Sequence, residues 1–178
     1  MKPNILISEE STEWNNIKNA EALICTAILS AYKEAKKPEE LLQIETEISL
    51  TLTDNRDIQL INKEYRGIDK ATNVLSFPQL ELKNGVLIDE NEFITPPSGN
   101  PVMLGDIIMA YEIIIKEAKE QEKTIESHLT HLAIHGLLHL LGYDHIDNKE
   151  AAEMEQLEVN IMNHLGYNSP YSDIKNAS

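Results

Sequence analysis

The chemistry open to this chain is set first by three histidines. Residues 135–145 read HGLLHLLGYDH, which places His135, His139 and His145 in a His-x-x-x-His-x-x-Gly-x-x-His pattern. Residues four apart on a helix share one face, a turn above one another, so His135 and His139 can aim their imidazoles at one centre. Gly142 can take a positive φ and end the helix, letting the chain double back and bring His145 to the same point. Three neutral imidazoles with a fourth position left open describe a catalytic type of zinc site, one ion per chain. The bland alternative is a helix that carries histidines by chance above a glycine cap. Spacing, cap and third histidine together count against it.

The other histidines read differently. At 100° per residue, His128, His135 and His139 project within about 20° of a common direction, while His131 lies about 60° away. His128 is two turns below His135 and cannot reach the same ion, so it is assigned to packing or to support of the ligands, with contact to substrate as the lesser alternative. His131 falls near the site without being a ligand. His164, near the end of the last helix, reads as a surface or capping residue. The ligand spacing is also that of metzincin proteases, in which a Glu follows the first histidine and acts as general base. Here that position is Gly136. A zinc metalloprotease without that carboxylate loses its central catalyst and stands as a second reading. A helix-interior glycine costs about 1 kcal/mol against alanine. Close approach of another backbone or of substrate, or tight packing alone, is expected to offset it.

The whole chain sets bounds on partners and compartment. Its 178 residues fit a single domain, 1–178, large enough to bury a core. Thirty acidic residues against 15 basic ones give a net charge of −15. That excludes a generic nucleic-acid binder, whose affinity comes from neutralising phosphates. A polyanion partner must meet a local basic patch or be delivered by another protein. Only two arginines occur, Arg56 and Arg66. No apolar run is long enough to span a bilayer. The start, MKPNILISEESTEW, turns acidic too early for a secretory signal, and the lone Cys25 precludes an internal disulfide. The expected location is the cytoplasm, with no membrane partner.

Periodicity places the elements that must hold the histidines. Strands are expected at 4–10, 45–53, 73–77 and 103–110, the second from alternation of Ile48, Leu50 and Leu52. Helices are expected at 14–35, 57–66, 111–122, 124–141 and 148–165. The 57–66 helix should open on Asp54 or Asn55 and turn Ile58, Ile61 and Tyr65 inward. Residues 79–101, with Asn84-Gly85, Pro96-Pro97 and Ser98-Gly99, read as a long loop or irregular hairpin, and the tail from Asn168 as loose. The fold class is therefore α+β. A small mixed β-sheet of about four strands packs with about five helices, and the three-histidine site sits on a C-terminal helix and the turn after it.

Three segments together resemble the YbeY family of metal-dependent endoribonucleases of ribosomal RNA maturation. The first is the run His135 to His145. The second is Asn62 to Pro78 (NKEYRGIDKATNVLSFP), similar to the family's Asn-x-x-Tyr-Arg-x-x-Asp-x-x-Thr-Asp-Val-Leu-Ser-Phe-Pro. The third is Leu104-Gly105-Asp106-Ile107. The resemblance covers roughly residues 45 to 165. One position departs from it: Asn73 stands where the family usually has Asp, keeping the size and an acceptor oxygen but not the charge.

The resemblance implies an endoribonuclease that prefers single strands. It would act at the 3′ end of small-subunit ribosomal RNA, in maturation and ribosome quality control. His135, His139 and His145 would hold Zn²⁺. Arg66 would contact a phosphate and offset transition-state charge. Asp144 would orient an imidazole, act as a base for water, or simply hold the turn. Ser76 and Phe77 would line the cleft, Phe77 either stacking on a base or packing in the core. Asp106 would tie down its loop by hydrogen bonds. Ribosomal RNA is the expected partner, with ribosomal proteins or the small subunit beside it. A third reading is a non-catalytic ribosome-assembly factor with a structural metal, favoured by an acidic surface that suits basic proteins.

Overall fold

The computed structural model describes residues 1–89, 94, 96 and 99–171. Strand β1 (Asn4–Glu9) leads through a 3-10 turn (Thr12–Asn16) to helix α1 (Ala20–Glu34). Then come β2 (Thr46–Thr53), α2 (Asn55–Arg66), β3 (Val74–Pro78), and a ribbon of β4 (Leu82–Lys83) and β5 (Val86–Leu87). The chain continues with β6 (Val102–Ala110), α3 (Tyr111–Glu120), α4 (Ile125–Leu140) and α5 (Asn148–His164). The main sheet has the order β1-β2-β6-β3, with β1, β2 and β6 parallel and β3 antiparallel to β6. This is the expected α+β class: among the described residues, five α-helices on a mixed sheet of four strands.

Alternation sorts the sheet into two faces. Ile48, Leu50, Leu52, Ile107 and Met109 are buried in one core with Ile24, Ile28 and Ala31 of α1 and Ala133, Leu137 and Leu138 of α4. The alternate residues on β3 and β6 face the other way, where Leu75 and Ala110 form a smaller core with Ile58 of α2. The catalytic candidates on α2 and α4 therefore approach the β3 edge of the sheet from opposite faces.

Several boundaries differ from the sequence reading, each for a local reason. The first helix begins at Ala20, because Asn19 sits in the left-handed region at φ 58°. Trp14, assigned to that helix, belongs to the 3-10 turn and donates from Nε1 to Thr53 O at 2.9 Å, which pins the turn to the sheet. Tyr65 is not inward but 67% exposed, and its ring leans on Phe77 with centroids 5.4 Å apart. The Asn84-Gly85 turn closes a true two-residue hairpin between β4 and β5. The expected loop over 79–101 otherwise falls partly outside the described residues. The tail is not loose at its start: Pro170 is buried and its carbonyl accepts from Lys123 Nζ at 2.6 Å. Residues 172–178 of that expected tail lie outside the described residues.

Candidate metal centre

Helix α4 is opened by Thr124, whose side chain accepts from Ser127 N at 3.1 Å. It closes at Gly142 (φ 76°) through bonds from Gly142 N to His139 O and from Tyr143 N to Leu138 O, both 3.0 Å. This is a Schellman cap, and it turns the chain back toward the helix. A side chain at 142 is excluded twice over, since a Cβ would also lie 2.1 Å from Leu82 O. The β4–β5 turn docks on the same cap, with Asn84 N and Gly85 N each 2.9 Å from the carbonyls of Gly142 and Leu141. The hairpin and the helix end thus hold each other in place.

The turn delivers the third histidine. His135 Nε2 and His139 Nε2 lie 3.0 Å apart, and one ligand nitrogen each from His135, His139 and His145 falls within 4.8 Å of the others. The ring centroids of His145 are 5.6 Å from His135 and 5.1 Å from His139. The donor set suits a borderline cation such as zinc. His139 is held as the neutral imidazole that ligation requires. Burial, then repulsion from His135 and His145, brings its pKa down to about 4.

These nitrogens open into a cleft of about 550 Å³. One wall is the run Thr72 to Ser76, which leads into β3, an edge strand of the sheet among the described residues, and another is Leu82 of the hairpin. Arg66 stands at the rim, at the C-terminal end of α2, with no ion-pair partner among the described residues. Apart from histidines it is the one basic side chain among the described lining residues. Asp144 also lines the cleft. Its Oδ1 accepts from His145 N at 2.7 Å and lies 3.9 Å from His145 Nδ1, so it fixes the turn rather than bonding the ring. Ser76 lines the cleft and donates to Gly136 O at 3.0 Å. Phe77 does not line it: the next residue on a strand faces away, and Phe77 packs with Tyr65.

Gly136 meets neither a backbone nor the open cleft. A Cβ there would lie 3.1 Å from Ile107 Cγ2, 3.3 Å from Ser76 Oγ and 3.5 Å from Val74 Cγ2. The glycine lets α4 seat against β3 and β6, so a side chain at this position would crowd the sheet, and the carboxylate a metzincin mechanism needs is missing. Asp106 is half-buried, and its carboxylate has no hydrogen-bond partner among the described residues, contrary to the tie expected of it.

Sequence reasoning missed the carboxylates behind α4. Glu158 of α5 is buried, with Oε1 2.8 Å from His135 Nδ1 and Oε2 3.4 Å from His131 Nε2. The Tyr171 hydroxyl also donates to Oε2. Burial alone would push the Glu158 carboxyl up, but the bonds from His131 and His135 outweigh it and hold it at about 2. A signal was present: Glu158 lies in the inward stripe of α5 between Met154 and Ile161–Met162, where an acid is out of place. Glu117 of α3 plays a parallel part. Its Oε2 is 2.9 Å from both His128 Nε2 and Asn73 Nδ2. Burial again opposes, but these bonds hold the Glu117 carboxyl below the usual range. Asn73 Oδ1 accepts from Val74 N at 2.7 Å. Its amide therefore does what an ionised Asp could not, donating to Glu117 while capping β3. His164 is exposed and lies 3.9 Å from Glu34.

Fold and site define an α+β protein with a group of three histidines that could hold a metal ion at an open cleft. Residues 7–166 match the family described as Endoribonuclease YbeY. The Agrobacterium fabrum protein named Endoribonuclease YbeY is 43% identical over 172 residues, 95% of each chain. That of a Bradyrhizobium species is 44% identical over 163 residues, 90% of this chain and 87% of its own. A solution structure of TM1509 from Thermotoga maritima aligns over 92% of this chain and 91% of that one, at 21% identity and a TM-score of 0.44. The chain belongs to the Endoribonuclease YbeY family.

Proposed function

We propose that this chain is a zinc-dependent endoribonuclease that hydrolyses phosphodiester bonds in single-stranded ribosomal RNA, at the 3′ end of the small-subunit RNA, in maturation and ribosome quality control. One observation carries the reading: three converging imidazoles share a cleft with an arginine that has no ion-pair partner among the described residues. The names of the relatives supply the substrate class. The open β3 edge along the cleft suits an extended strand better than a duplex.

His135, His139 and His145 would hold the ion. Bound there, it supplies Lewis acidity toward a phosphoryl oxygen and toward water. Arg66 takes the non-bridging oxygens of the scissile phosphate in a bidentate contact and offsets the charge that builds as water attacks phosphorus. Asp144 would accept the proton the water gives up and return it to the ester oxygen as that oxygen leaves phosphorus. Ser76, already bonded to Gly136 O, keeps α4 seated on the cleft wall, and Phe77 is left out of the substrate contacts. With a net charge of −15, contact with RNA is confined to this local site. Ribosomal proteins of the small subunit are the partners that would present the strand, in the cytoplasm. No described helix is long and apolar enough to cross a membrane.

The test uses single-stranded and duplex forms of a small-subunit 3′-end fragment. Cleavage of the single strand, lost with chelator and restored by zinc, is expected. Intact RNA under all conditions, with zinc bound, would favour a non-catalytic assembly factor instead.

A further inference from the structure

We propose that Glu158 and Tyr171 form a clamp on His135, built from α5 and the segment after it, that fixes which ring nitrogen faces the cleft and so sets the affinity for the ion. The inference rests on the metal-centre reading above and deepens it.

Glu158 is a carboxylate whose side chain is 1% exposed. A charge at that depth is costly unless its lone pairs are matched, and here both oxygens are used. Oε1 lies 2.8 Å from His135 Nδ1. Oε2 receives the Tyr171 hydroxyl and faces His131 Nε2 at 3.4 Å. Because an ionised carboxylate only accepts, His135 must carry its proton on Nδ1. Its Nε2 is then bare, and Nε2 is the atom 3.0 Å from His139 Nε2 at the cleft. The arrangement is a carboxylate–histidine support of the kind that orients metal ligands and raises their basicity.

A second cation is the alternative use of these groups, since His131, His135 and Glu158 offer donor atoms within 4.8 Å of one another. The bonds already made count against it: an ion there would have to displace the proton on His135 Nδ1 and the Tyr171 hydroxyl together. The segment after α5 is tied down for the clamp. Lys123 Nζ holds Pro170 O at 2.6 Å, and the Tyr171 ring sits edge-on to His131 with centroids 5.5 Å apart. Position of α5 itself does not depend on the charge, because Met154, Ile161 and Met162 anchor it in the core.

Glu158→Gln and Tyr171→Phe test the clamp in the full chain. Zinc affinity is read by competition with a chelator, and the His135 ring tautomer by nitrogen-15 NMR of the metal-free protein. Glutamine keeps the shape, and the Tyr171 hydroxyl can rotate to accept from its amide, so the variant isolates the charge. Glu158→Gln should bind zinc about 10–100-fold more weakly and lose the strict Nδ1–H tautomer. Tyr171→Phe should move affinity the same way by less than about tenfold. Affinity within about twofold of the parent in Glu158→Gln, with only the melting temperature lowered, would overturn the clamp. So would a metal-free parent protein whose His135 carries its proton on Nε2, a result that needs no variant to fold. Neither readout uses RNA. A parent protein that binds zinc but leaves RNA intact overturns the nuclease and spares the clamp, while full cleavage with unchanged affinity in Glu158→Gln does the reverse.

Discussion

Two groups of histidines sit on and after one helix, and they have opposite surroundings. His128 and His131 face inward and are met by carboxylates, Glu117 of α3 and Glu158 of α5. His135, His139 and His145 turn ring nitrogens to a cleft whose one carboxylate among the described lining residues, Asp144, stands 3.9 Å from His145 Nδ1. His135 belongs to both, with one nitrogen on Glu158 and the other among its ligand neighbours. Residue type and helical spacing are nearly the same across the groups. The difference comes from what α3 and α5 place opposite them, which converts one pair into structural bonds and leaves the other three free to take a cation.

That contrast can be broken, the largest effect first. His135→Ala should abolish zinc binding, a loss well beyond the 10–100-fold of a supporting residue, whereas His131→Ala should stay within that range; equilibrium dialysis with zinc distinguishes them. Arg66→Ala should leave zinc content unchanged and slow RNA cleavage about 10²–10³-fold, as for loss of one transition-state donor. Retained rate would remove Arg66 from the mechanism.

Acid should act through the open group. His139 has a folded pKa of about 4 against 6.5 for a free ring. Above pH 6.5 the ring is neutral in both states. Between 6.5 and 4 the unfolded chain takes up a proton that the folded one refuses, so the metal-free protein should lose stability as pH falls, by roughly 3 kcal/mol at pH 4. Glu158, held at about 2 against a usual 4.5, extends the loss to lower pH, since its contribution is complete only above the unfolded value. Urea melts across pH 7 to 4 measure this. The smallest effect on function belongs to His128→Ala. It should cost about 1–3 kcal/mol by stripping Glu117 of a buried partner while zinc affinity stays put.

The sequence made the open group legible because its geometry is local. His135 and His139 share a helix, and Gly142 alone decides the turn to His145. Gly136 likewise marked a real feature, a close approach of α4 to β3 and β6. What escaped was tertiary. Glu158 is 23 residues from His135, and only the packing of α5 on α4 brings them together. Tyr171 lies in a stretch that composition marks as loose, yet a buried acid awaits its hydroxyl. Phe77 was open to two readings for another reason: at a sheet edge one residue of alternation decides between cleft and far face, and the motif carries both kinds side by side. Asn73 is intermediate. Its departure from the family pattern was visible, but its work as a donor to Glu117 required α3 in place.

The most direct measurement compares the parent protein and His139→Ala, purified identically, for bound zinc and for cleavage of a single-stranded small-subunit 3′-end RNA. The three-histidine account requires that the parent bind one ion per chain and cut the RNA, and that the variant do neither while keeping its fold. Cleavage by the metal-free variant at the parent's rate would contradict it.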